Sequence, residues 1–124
     1  MLRVAVLTGT ALMMIALAAT VQAASEAQLA QIEQRAAKAA KTAAGEYAKD
    51  LLDAAMASIA EAKINIAAGK EKLAARQLEL AEIQLSAADA KAAEKELLEK
   101  VAIRRSELKK LEARLERFRQ GEEN

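Results

Sequence analysis

The stretch Ala62-Lys63-Ile64-Asn65-Ile66-Ala67-Ala68-Gly69-Lys70-Glu71-Lys72-Leu73 decides the fold of this chain. Helix-forming residues run up to Ala68, a glycine interrupts them, and helix-forming residues resume at once. Glycine enters the left-handed conformation that closes a helix, so Gly69 predicts the turn of a helical hairpin.

Downstream of that turn the sequence predicts one helix over about residues 70–120, near 75 Å long at roughly 1.5 Å per residue. Its apolar seam is spaced three and four apart, through Leu73, Arg76, Leu80, Ile83, Ala87, Ala90 and Glu94. It continues through Leu97, Val101, Arg104, Leu108, Leu111, Leu115 and Phe118. The second half is a clean heptad apart from Arg104, which favours a coiled coil and makes these seven residues the candidate interaction face. Residues 121–124 read as a tail.

Upstream, helices are expected over about residues 25–44 and 50–68. Ser25, with Gln28 three residues on, is a candidate capping box, and Asp50 a candidate cap for the second helix. The stripes are Leu29, Ile32, Ala36, Ala39, Ala43, then Leu52, Ala55, Met56, Ile59, Ala62, Ile66. If Gly45 is bridged, the two form one arm of about 66 Å matching the third helix. A kink or break between Gly45 and Lys49 is the favoured reading.

Composition agrees. The 124 residues contain no proline, and Ala, Leu, Glu, Lys, Gln and Arg make up most of the chain. Strands have almost nothing to be built from, so the fold class is all-α. Alanine dominates, with twelve Leu and six Ile beyond residue 23. Such a core buries little area per residue, which makes pairing with another chain physically reasonable.

The chain opens Met1-Leu2-Arg3, followed by an apolar run from Val4 to Ala19 and then Val21-Gln22-Ala23. One positive charge, an apolar core and small residues at the last and third-last positions predict a cleavable signal peptide, residues 1–23, cut after Ala23. Its loss removes Arg3 and leaves eighteen basic against eighteen acidic side chains. That balance gives no global steering toward nucleic acid. Without cysteine there is no disulfide and no lipidated N-terminal cysteine, so the cleaved protein has no stable membrane anchor. Retention of residues 4–21 would instead give a membrane-tethered coiled coil.

With no histidine and no cysteine, the usual general base, thiol nucleophile and zinc ligands are missing, and no calcium loop is present. No catalytic residue, cofactor or metal ligand is expected. Ser106-Glu107-Leu108-Lys109 matches a bare Ser-x-x-Lys pattern, but it lies inside the heptad run with no companion motif and reads as solvated helix. The basic stretch from Lys100 to Arg119 spreads over several heptad positions without interleaved aromatics, so it too reads as solvated helix. Tyr47, beside Gly45, reads as a packing residue.

Ala43-Ala44-Gly45-Glu46-Tyr47-Ala48-Lys49-Asp50-Leu51-Leu52, followed by Ala55, Ala62, Gly69 and Ala81, resembles an uncharacterised bacterial envelope family. Its members carry exported Ala-rich helical-hairpin domains, often on lipoproteins or ahead of outer-membrane-protein-A-like domains. The resemblance covers roughly residues 27–93 and implies a break at Tyr47-Ala48, then a hairpin reminiscent of one tetratricopeptide unit. Lys49 stands where a proline is common in that pattern. The resemblance carries no catalytic residue and no wall-binding function.

The function expected from these readings is a non-enzymatic periplasmic scaffold or adaptor that self-associates or docks a protein partner through its coiled-coil face. A periplasmic holdase-type chaperone is the second reading, and the tethered coiled coil the third.

Overall fold

The computed structural model describes residues 22–122. Among them every regular element is helical: α1 covers residues 22–39, α2 Ala43–Tyr47, α3 Lys49–Ala67 and α4 Glu71–Glu122. The expected signal peptide lies outside the described residues apart from positions 22 and 23.

The turn at Gly69 forms as the sequence predicts. Gly69 has φ of 70°. The Lys70 amide donates to the Asn65 carbonyl at 2.8 Å and the Gly69 amide to Ile66 at 3.0 Å. These two bonds satisfy carbonyls that the end of α3 would otherwise leave open, and they send α4 back along α3.

The earlier break is sharper than a kink. α1 stops at residue 39, short of the expected 44, with tightened turns in which Lys41 bonds to Lys38 and Thr42 to Ala39, both at 3.1 Å. The Thr42 hydroxyl also donates to the Ala39 carbonyl at 2.8 Å. Thr42 itself is extended (φ −107°, ψ −175°), which redirects the chain into α2. Gly45 therefore lies inside α2 instead of ending a helix. A Cβ there would collide with the Ala40 carbonyl, so the corner's close approach requires glycine. A second bend at Ala48 (φ −135°, ψ 35°) leads into α3, although lysine and not proline follows it.

Because the chain turns back at this corner, α1 does not extend α3 as one long arm. It packs beside the α3–α4 hairpin, and Ile32, Ala36 and Ala39 join Leu52, Ala55, Ile59, Ala62, Leu78, Ala81, Leu85, Ala88 and Ala92 in one buried cluster. One ion pair spans each interface: Lys63 of α3 with Glu33 of α1, Arg35 of α1 with Asp89 of α4 (3.1 Å), and Lys91 of α4 with Asp50 of α3 (2.9 Å). All are substantially exposed, so each is worth at most about 1 kcal/mol and marks register more than it adds stability. Ser25 of α1 meets Glu71 early in α4 and Arg35 meets Asp89 further along both helices, so α1 runs parallel to α4 and therefore antiparallel to α3.

Nine of the fourteen clustered residues are alanine. Small side chains let the helices approach closely, but each buries far less than the roughly 1.5–3 kcal/mol of a fully buried leucine or isoleucine. The stripes expected on the first two helices are the buried ones, except that Leu29 and Ala43 are half-buried and Met56 is exposed. Two expected caps are otherwise engaged. Ser25 lies within α1 and donates to Glu71 Oε2 at 2.9 Å, and Asp50 lies in the first turn of α3, its carboxylate on Lys91. Among the described residues Ser58 is the one buried polar residue, its hydroxyl 2.9 Å from Gln84 Oε1 and 3.2 Å from the Ala54 carbonyl oxygen.

Candidate interaction surface

α4 carries two apolar seams. The seam buried against α1 and α3 is Ala74, Leu78, Ala81, Leu85, Ala88 and Ala92. The seam read from the sequence, through Leu73, Leu80 and Ile83, lies roughly 150° away round the helix at about 3.6 residues per turn, and these three residues are exposed. Both seams fit heptad spacing over residues 73–92, and tertiary packing chose the one richer in alanine.

Beyond Ala92 the buried seam would continue through Lys95, Glu99, Ala102, Ser106, Lys109, Ala113 and Glu116. Its only apolar members there are Ala102 and Ala113, too few and too small to hold α1 or α3 against α4 any further. From residue 93 to 121 every residue is exposed. Beyond Glu99, the last residue of α4 that the corner reaches, α4 projects about 35 Å past the bundle at roughly 1.5 Å per residue.

The other seam continues along this projection. Leu97, Val101, Leu108, Leu111, Leu115 and Phe118 lie on one face, with Phe118 67% and Leu97 62% exposed. The structure therefore places all seven candidate residues on one helix and leaves their face open. Arg104, the charged member, donates through Nη1 to Glu107 Oε2 at 2.9 Å along its own helix. The heptad reading does not single out Leu98 and Ile103, which are exposed beside that face.

At the base of the projection the Tyr47 hydroxyl donates to Glu99 Oε1 at 2.6 Å. This bond to an anionic acceptor, with burial and the nearby Glu46, Glu99 and Glu96 charges adding to it, pushes the phenol up to about 12. The Asp50 carboxyl is held below its ordinary range, first by its hydrogen bond from Lys91. Tyr47 is thus a polar tie between the corner and α4, where the sequence suggested only packing.

Among the described residues no cluster of His, Cys, Asp or Glu is arranged to hold a metal ion, and no helix is long and apolar enough to cross a membrane. A shallow groove between α1 and α3 at the corner is lined mainly by Ala36, Ala37, Ala40, Gly45, Leu52 and Met56. It gathers no titratable or nucleophilic pair beyond the solvated Glu33, Lys49 and Asp53.

No family model, no curated protein and no solved structure matches this chain.

Proposed function

We propose that this protein is a non-enzymatic helical scaffold or adaptor of the periplasm that acts through protein–protein contacts of its projecting helix. The observation that carries the reading is the α4 projection. Eight large apolar side chains stand exposed on it, Leu97, Leu98, Val101, Ile103, Leu108, Leu111, Leu115 and Phe118. A contiguous apolar face of this kind marks an association surface. Its heptad spacing suits a partner helix. Export rests on the signal-like residues 1–23, and the resemblance to exported Ala-rich envelope domains points the same way.

Affinity capture from envelope extract tests the reading, with wild-type protein compared to Leu108→Arg/Leu111→Arg. Association with itself or with a defined partner, lost in the variant, is expected. A wild type that stays monomeric and retains no partner contradicts it. The same exposed face also suits a periplasmic holdase. Suppression of aggregation of an unfolded outer-membrane protein, with no stoichiometric partner, would favour that second reading.

A further inference from the structure

We propose that a second copy of this chain, running antiparallel, covers the exposed seam of the α4 projection. The inference rests on the scaffold reading and names its first partner. The seam sets core positions at Val101, Leu108 and Leu115 and at Leu97, Arg104, Leu111 and Phe118. Lys100, Glu107 and Arg114 then line one flank, and Arg105, Glu112 and Arg119 the other.

In a parallel pair, each residue of the first flank meets the second-flank residue of the next heptad on the other helix. Lys100 would meet Arg105, Glu107 would meet Glu112, and Arg114 would meet Arg119. Every pair is like-charged. The core would also set Arg104 against Arg104, a buried like-charge contact of the costliest kind.

Reversing one copy removes these four contacts, because each flank now faces its own counterpart. With Glu107 against Arg114 of the second copy, the core layers become Val101 on Phe118, Arg104 on Leu115, and Leu108 on Leu111. The thin end of the seam fills against the thick end. Each layer and each Glu107–Arg114 pair occurs twice by the two-fold symmetry of such a dimer. Arg105 falls between Glu112 and Arg119 of the second copy. The Arg104 guanidinium is already drawn to Glu107, so its aliphatic stem packs in the core while the charge stays at the flank.

Charge reversals on the protein recovered from cells separate the two directions. By sedimentation equilibrium, Glu107→Arg and Arg114→Glu should each raise the dimer dissociation constant several-fold, and the double variant should restore it. In a parallel dimer each single change would create opposite-charge pairs and tighten association, which would overturn the inference. The protein has no cysteine, so an independent check is available. A mixture of Val101→Cys and Phe118→Cys chains should form a disulfide-linked heterodimer, whereas each variant alone should not. A parallel dimer, or a monomer that binds a different protein, sinks the antiparallel arrangement and leaves the scaffold reading standing. A monomer that retains no partner sinks both.

Discussion

Tyr47 reaches across from α2 to hydrogen-bond Glu99, seven residues past the last buried position of α4, Ala92. The contact fastens the corner between α1 and α3 to the root of the projecting helix.

Tyr47 is the only tyrosine, and there is no tryptophan, so tyrosinate absorbance reports this contact alone. The folded phenol is raised from 10.0 to about 12. A group raised in the folded state contributes stability that is fully present below its unfolded value and lost as pH climbs through the folded one. The Tyr47–Glu99 tie should therefore hold below pH 10 and fail between pH 10 and 12. Glu99→Gln should bring the titration midpoint down toward the ordinary value. An unchanged midpoint in that variant would mean that the bond does not form in solution.

The two glycine turns should respond differently to alanine. Gly69→Ala puts a Cβ into open space at φ of 70°, so only the left-handed backbone is penalised, by about 1–2 kcal/mol. Gly45→Ala drives a Cβ into the Ala40 carbonyl and must displace backbone, so it should cost more. Urea denaturation measures both. An equal or reversed order would show that the corner is looser than described.

Leu85 is fully buried within the core cluster. Leu85→Ala should cost about 2–5 kcal/mol, and Ala81→Leu about 1–3 kcal/mol from overpacking. Leu80→Ala, on the opposite face and 42% exposed, should cost far less. Thermal melts of the three variants decide which seam is the core. A melt lowered most by the Leu80 change would reverse the assignment of faces.

Intact mass of the protein recovered from its host should correspond to a chain beginning at Ala24, given the small residues at Val21 and Ala23 behind an apolar run. A product that begins at Met1 would favour the tethered coiled coil.

The helical class, the Gly69 turn and the stripes on α1 and α3 were legible because each rests on local chemistry: propensity, one left-handed residue, and a single apolar face. The direction of the chain at residues 40–48 was not. It depends on Thr42 turning its hydroxyl back onto Ala39 and on a close approach at Gly45, neither of which periodicity encodes. The facing of α4 was ambiguous for a different reason. Two heptad seams coexist from Leu73 to Ala92, and the larger side chains made the exposed one look like the core. The buried seam carried one recoverable signal, its loss of apolar residues after Ala92, which foretells where packing stops. From Leu97 to Phe118 a single apolar seam survives, and its apolar residues are exposed.

Sedimentation equilibrium across a range of concentrations decides whether this surviving seam is an association surface. The wild-type protein should show a mass that rises with concentration from one chain toward two. Leu108→Arg/Leu111→Arg should hold it at one chain while circular dichroism stays helical, because both positions lie outside the bundle core. A wild type that remains a single chain at every concentration, or a variant that associates as well as the wild type, would mean that the seam does not join two chains.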